Sequence, residues 1–167
     1  MKNLRSGRAG IIELPFKLLI SIIIVAVTAA AGMGALSVYS KNILDDGLRQ
    51  QAQAVCSAAE RLDTMGFNSS LRVRLVISNG PMDRVEYFRI GYPLSAPVHP
   101  FSAMVRYKGI DMPQGHVTAL DASENYLPMC SPQGGTLSVG TGEHDIVLTK
   151  MYSEQFGTVF MRVEGTG

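Results

Sequence analysis

The chain has 167 residues, of which 46% are hydrophobic, and its net charge at pH 7 is +1. This length allows one modest domain together with an anchoring segment. Beyond a short N-terminal cluster the charges are interspersed and form no basic face, so the composition argues against a protein that binds nucleic acid.

The first ten residues, 1–10, form a short basic leader with the sequence MKNLRSGRAG. Lys2, Arg5 and Arg8 precede a long apolar stretch, and no comparable basic cluster follows that stretch closely. By the positive-inside rule, this asymmetry predicts a cytoplasmic N-terminus and an extracytoplasmic C-terminal domain.

The next segment, 11–39, includes an uncharged apolar run over residues 18–39. As a helix, this run would span about 33 Å, which matches a hydrocarbon core of about 30 Å. A cleaved secretory signal is the competing interpretation, but the apolar core of such a signal usually has about 7–15 residues. We therefore predict a transmembrane helix that is retained in a single-pass membrane protein.

Residues 40–64 continue the helix with a different pattern. Apolar residues recur there at spacings of three and four, which places them on one face of a helix. We expect this stripe to pack against the rest of the chain, and Met65-Gly66 to end the helix. The stripe consists of Leu44, Leu48, Ala52, Val55, Ala59 and Leu62.

In residues 65–167 the apolar period changes to two, which predicts a β-rich extracytoplasmic domain. LRVRLVI (71–77) and VEYFRI (85–90) are predicted to pair through the turn SNGPMD, and HDIVLTKMY is predicted to form a hairpin with TVFMRVE. Shorter candidate strands are AMVRY, HVTAL and GTLSVG. The predicted fold class is α+β, with one long N-terminal helix packed on an antiparallel β-sheet.

A basic leader, a carboxylate near the start of a long apolar helix, an amphipathic continuation and a β-rich domain follow one another in this chain. That order resembles type IV pilins and pilin-like proteins. The segments SSLRVRLVI, soon after the helix, and FMRVEG, near the end, are most similar to archaeal members of the family.

The resemblance implies a class III signal sequence that a prepilin peptidase cuts in the region of Gly7, Arg8 and Gly10. It implies that Glu13 pairs with the N-terminal amine of a neighbouring subunit in a cell-surface filament. The resemblance therefore implies a structural subunit of that filament. Its partners would be membrane lipid and other pilin-like subunits, with which it would form a homo- or hetero-oligomer.

Two features of the apolar segment bear on this expectation. The motif IELPFK is also what a well-capped helix start at the cytoplasmic interface looks like, with Pro15 in the first turn. In contrast, the small-xxx-small pair Ala30 and Gly34 allows close approach of another helix, which a lone anchor does not need. The alternative function is a membrane-anchored binding or accessory module that does not polymerise.

The outer domain contains a few candidate sites. Cys56 and Cys130 would lie in a compartment where disulfides form, although two buried and inert thiols are the alternative. Asn68 begins an N-x-S sequon and is a candidate for glycosylation. His99, His116 and His144 lack the spacing of metal ligands, and no nucleophile motif is present. We therefore expect no metal, no cofactor and no enzymatic activity.

Overall fold

The computed structural model describes the backbone of residues 7–94 and 98–166 and the side chains of residues 15–94 and 98–165. Within these residues the fold is α+β, with one long helix followed by eight strands. The chain divides into two compact units, Met1–Tyr39 and Ser40–Gly167. The described residues of the first unit, 7–39, are helical, and the described part of the second unit contains the rest of the helix and the eight strands.

Helix α1 extends from Gly7 to Asp63. It begins four residues before the predicted start at residue 11, so Pro15 lies inside the helix and not in its first turn. The interpretation of IELPFK as a helix start is therefore wrong. A proline at an interior position removes one backbone hydrogen bond and typically costs about 3 kcal/mol. At the other end, the Met65 N–H donates to the Leu62 carbonyl at 3.0 Å, as the predicted stop requires.

The predicted apolar stripe of α1 is confirmed as the centre of the core in the second unit. Each of its six residues is 3% exposed or less. Spacings of three and four keep them on one side of the helix, which packs against the strands. They belong to one contiguous cluster with buried residues of both sheets, including Phe88, Ile146 and Leu148.

Eight strands follow the helix, and a short 3-10 helix, Pro100–Ala103, precedes the third of them. The strands are β1 (Ser70–Ile77), β2 (Val85–Ile90), β3 (Met104–Gly109), β4 (Gly115–Thr118), β5 (Met129–Cys130), β6 (Leu137–Val139), β7 (Gly142–Ser153) and β8 (Thr158–Thr166).

These strands form two four-stranded sheets, where the sequence predicts one. Sheet A has the order β1-β7-β8-β5, and sheet B has the order β4-β3-β2-β6. All pairs are antiparallel except β5 with β8, which is parallel. Strand β5 has only two residues and no apolar period, so the sequence pattern does not reveal it.

The predicted hairpin of β7 with β8 is confirmed, and Ser153 and Thr158 are the paired residues nearest its turn. The predicted pairing of β1 with β2 is wrong, because β1 pairs with β7 and β2 pairs with β3 and β6. The connection between them does not form a hairpin turn. Instead, the Met82 N–H donates to Ser40 Oγ on the helix at 2.8 Å. The chain thus crosses beside α1 from sheet A to sheet B.

Helix α1 contacts both sheets within the second unit. On the side of sheet A, Gln51 Oε1 accepts a hydrogen bond from the Val76 N–H at 3.2 Å. On the side of sheet B, the Cys56 thiol donates to the Val117 carbonyl at 3.5 Å. The second half of the helix is therefore an integral layer of the β-domain.

Candidate assembly segment

The apolar residues 18–39 of helix α1 are the strongest candidate for a functional surface. By length and composition, the described part of the helix, Pro15–Asp63, can cross a membrane, and its most apolar stretch has no buried residue. Large apolar side chains along this stretch are exposed within the unit. Monomeric soluble proteins rarely expose a contiguous apolar surface of this extent, so the segment is suited to lipid or to other helices.

Two hydroxyl groups in this segment are satisfied within the helix itself. Ser21 Oγ donates to the Lys17 carbonyl at 2.9 Å, and Thr28 Oγ1 donates to the Ile24 carbonyl at the same distance. A hydroxyl that bonds back to the preceding turn needs no water, which is a requirement for a polar side chain placed in hydrocarbon. These polar residues are therefore compatible with an apolar environment.

The predicted small-residue face is open. A Cβ atom added at Gly34 would meet nothing within 4 Å outside the helix's own neighbouring backbone, and Ala30, four residues earlier, is exposed as well. Small side chains let two helix backbones approach closely, so this face can accept a neighbouring helix. An open apolar groove of about 380 Å³ lies further towards the N-terminus and is lined by Leu18, Ser21, Ile22, Val25, Ala26 and Ala29.

Four predicted residues of the leader and helix head lie outside the residues whose side chains the structure describes. These are the cleavage-region residues Gly7, Arg8 and Gly10 and the assembly residue Glu13. The backbone at these positions belongs to helix α1. Cleavage in this region and pairing of the carboxylate with an amine of another subunit both stay predictions.

The predicted disulfide between Cys56 and Cys130 is wrong, because both residues are free and buried. Cys56 lies in the core cluster, as does Met129, the neighbour of Cys130 on β5. Successive residues of a strand face opposite sides, so Cys130 faces away from the core that contains Cys56. Burial, together with the charge of Glu60, raises the pKa of Cys56 to about 12, and burial raises that of Cys130 to about 11.

Asn68, the candidate glycosylation residue, is exposed in the turn between α1 and β1. Its backbone has a positive φ of 63°, and its N–H donates to the Lys150 carbonyl at 2.9 Å. Asparagine tolerates this left-handed conformation better than most residues, which gives it a structural reason to stand there. Glycosylation of this accessible side chain stays a prediction.

The three histidines take local roles where their contacts are defined. His99 Nδ1 accepts a hydrogen bond from the Phe101 N–H at 3.2 Å, and His144 Nε2 lies 3.1 Å from the Gly140 carbonyl oxygen. In the described ranges, no group of three or more His, Cys, Asp or Glu residues could hold a metal.

One exposed cluster has no signal in the sequence. The ring centroids of Tyr92 and His99 are 5.8 Å apart, and those of His99 and Phe101 are 4.7 Å apart. The Arg106 guanidinium lies 5.6 Å from the ring centroids of Tyr92 and Phe101. These residues share no motif, so only the folded chain shows that they meet.

Comparison of the chain with family models, with curated proteins and with solved structures finds no match. The architecture itself, a long apolar N-terminal helix that packs on antiparallel sheets, is pilin-like.

Proposed function

We propose that the protein is a structural subunit, of the major or minor kind, in a type IV pilus-like filament at the cell surface. One observation carries the proposal, which is the contrast between the two units. The second unit buries its own core, whereas the apolar side chains of residues 18–39 are exposed. A β-domain that is already complete does not need this segment for its stability, so the segment is available for lipid and for other subunits.

The composition of the segment favours helix association over simple anchoring. Between helices in lipid, close packing and buried polar contacts drive association, since the lipid is as apolar as the helix surface. Ala30 and Gly34, one turn apart, provide an open face of small residues, and Ser21 and Thr28 carry hydroxyls that are already satisfied. These features support a surface on which helices of several subunits could pack.

The proposal includes the processing and topology that the family resemblance implies. A prepilin peptidase would cut the leader near Gly7, Arg8 or Gly10 on the cytoplasmic side, and the β-domain would lie outside the cell. Glu13 would then pair with the free amine of an adjacent subunit. In an apolar environment few other polar groups are available to the carboxylate or to the amine. The ion pair would therefore fix the register of neighbouring helices.

Disulfide cross-linking of the full chain in its native membranes tests the assembly surface. Gly34→Cys places a thiol on the open face, and Ala122→Cys places one on an exposed turn of the β-domain as a control. The native cysteines are buried and do not compete. We expect oxidation to yield dimers from Gly34→Cys and little dimer from Ala122→Cys. Equal, low cross-linking of both variants would favour the anchored module that does not polymerise.

A pair of variants at Glu13 tests the role of the carboxylate. Glu13→Gln keeps the size of the side chain and removes its charge, whereas Glu13→Asp keeps the charge. We expect Glu13→Gln to be processed and yet absent from sheared surface filaments, with partial recovery in Glu13→Asp. Normal incorporation of Glu13→Gln would contradict the pairing.

A further inference from the structure

We propose that two turns of the β-domain, 80–84 and 109–112, form a membrane-contacting rim and that Met82 and Ile110 at their tips insert into the lipid interface. The partner is the headgroup region of the bilayer that holds the apolar segment. The inference rests on the membrane anchoring in the proposed function and adds a second contact with lipid, made by the outer domain.

The two side chains stand out by their exposure. Met82 is 60% exposed and Ile110 is 57% exposed, which makes them the most exposed large aliphatic residues among the described residues of the unit Ser40–Gly167. A single exposed apolar side chain on a protein surface is ordinary. Two of them on adjacent turns, next to the end of a membrane segment, form a surface that lipid can cover.

The two turns are fastened to each other. The Ile110 N–H donates to the Arg84 carbonyl at 2.9 Å, and the Asp111 N–H donates to Asp83 Oδ1 at 3.3 Å. Asp83 is only 4% exposed, and its Oδ1 also accepts from the Arg84 N–H at 2.8 Å. A buried carboxylate that joins both turns holds the two apolar tips in a fixed relation.

The rim is also fastened to the residue at which the apolar segment ends. The Met82 N–H donates to Ser40 Oγ at 2.8 Å, and Ser40 follows Tyr39 directly in the chain. On each side of the hydrocarbon core, the polar interface of a bilayer is about 5–7 Å thick. Because the Met82 backbone is within hydrogen-bond distance of Ser40, a segment that leaves the hydrocarbon at Tyr39 would place Met82 at the depth of that interface.

The charges beside the tips indicate which property of the membrane matters. Arg84 and Asp111, one on each turn, are exposed and have opposite charge. Anionic headgroups would attract Arg84 and repel Asp111, so the two electrostatic effects offset each other. Insertion of the rim therefore depends on the apolar side chains, and we expect it in zwitterionic phosphatidylcholine as well as in anionic lipid.

Single-tryptophan variants test the proposal, since the chain contains no tryptophan. Met82→Trp, Ile110→Trp and the control Tyr152→Trp would be prepared in the full chain, and all three positions are exposed. Each variant is reconstituted into phosphatidylcholine vesicles with and without bromine near the headgroup end of the acyl chains. Circular dichroism confirms that each variant keeps its fold.

We expect bromine to remove about half of the emission of Met82→Trp and Ile110→Trp, with a blue-shifted maximum, because indole in the interface is within reach of the quencher. Tyr152→Trp, at the hairpin end of β7, should keep its emission. Quenching of all three variants to the same extent would contradict a rim confined to these turns.

A fourth variant, Val27→Trp, separates failure of the rim from failure of the anchor. Its side chain lies within the apolar segment, and we expect lipid brominated deep in the acyl chains to quench it. Quenching of Val27→Trp without quenching at positions 82 and 110 would overturn the rim and leave the anchor intact. Absence of quenching at position 27 would overturn both.

Discussion

At the scale of single residues, Lys150 fastens strand β7 to the end of helix α1. Its Nζ lies 3.1 Å from Asp63 Oδ1, and it also donates to the carbonyls of Asp63 and Met65. The last carbonyls of a helix have no partner within the helix, and a cation near that end is favoured by the helix dipole. Lys150 therefore serves as a long-range cap that local sequence does not show.

Replacing Lys150 with methionine keeps most of the aliphatic chain and removes this cap. We expect Lys150→Met to lower the free energy of unfolding by about 1–2 kcal/mol, because partly buried acceptors lose a charged donor. Urea unfolding of the full chain in detergent, followed by circular dichroism, measures the change.

Lys108→Met is the matched control for this prediction. Lys108 Nζ lies 2.6 Å from Glu86 Oε2 on the surface, where solvent screens the ion pair. We expect the urea midpoint of this variant to be nearly the same as that of the unchanged protein. If the two variants were equally destabilised, Lys150 would have no special role at the helix end.

The two cysteines permit a second prediction at this scale. Because burial raises the pKa of Cys56 to about 12 and that of Cys130 to about 11, both thiols are neutral at pH 8 in the folded protein. We expect iodoacetamide to label neither residue in the folded chain and both in urea without a reductant. A chain that accepts label in urea only after reduction would contain the disulfide that the structure lacks.

The same shifts set the sign of a pH effect. A thiol in the unfolded chain ionises near its ordinary pKa of 9, below the pKa of either thiol in the folded state. Above about pH 9 the unfolded state therefore loses protons that the folded state retains, and stability falls as the pH rises. Below that pH the two thiols are neutral in both states and contribute no pH dependence.

At the scale of elements, Gly91 permits the passage between the two sheets. It follows β2, has a φ of 69°, and its N–H donates to the Met104 carbonyl at 3.0 Å. The next residue, Tyr92, donates to the Met129 carbonyl on β5 at 3.2 Å. A Cβ atom on Gly91 would overlap that same carbonyl group. Both the backbone angle and the lack of space thus require glycine.

We expect Gly91→Ala to lower the free energy of unfolding by about 3 kcal/mol or more. The variant would have both the backbone strain of a positive φ and the overlap of its methyl group with the Met129 carbonyl. Gly134→Ala is the matched control, with a φ of 77° and no atom near the added methyl group. It should cost about 1 kcal/mol, which is the strain of the backbone angle alone. The difference between the two urea midpoints measures the overlap, and equal midpoints would contradict it.

The elements that the sequence predicts well are those with a long, regular period. The stripe from Leu44 to Leu62 and the hairpin of β7 with β8 have such periods, and the structure confirms both. The partner of β1 could not be predicted, because alternation fixes which residues face the core but does not select between β2 and β7. The prediction of the disulfide was wrong for a related reason. The side of the sheet on which Cys130 lies is set by β5, which is only two residues long and shows no period in the sequence.

At the scale of the whole molecule, the chain joins a unit with an exposed apolar helix to a unit with a complete core. The sequence predicts this division, because an apolar helix and an amphipathic one differ in pattern at residue 40. It does not predict the surface made by Met82 and Ile110, since two turns from different sheet connections meet there only after folding. The candidate assembly face could be proposed from Ala30 and Gly34, whereas the rim could not.

The central claim is that the apolar segment stays attached and holds the protein in the membrane. The most direct test is the intact mass of the native protein in the membrane fraction, against 18.0 kDa for the full chain. The account predicts a membrane-bound species that has lost about 0.7–1.1 kDa, corresponding to removal of a leader of roughly 7–10 residues. A soluble species that begins near Leu36 would contradict it.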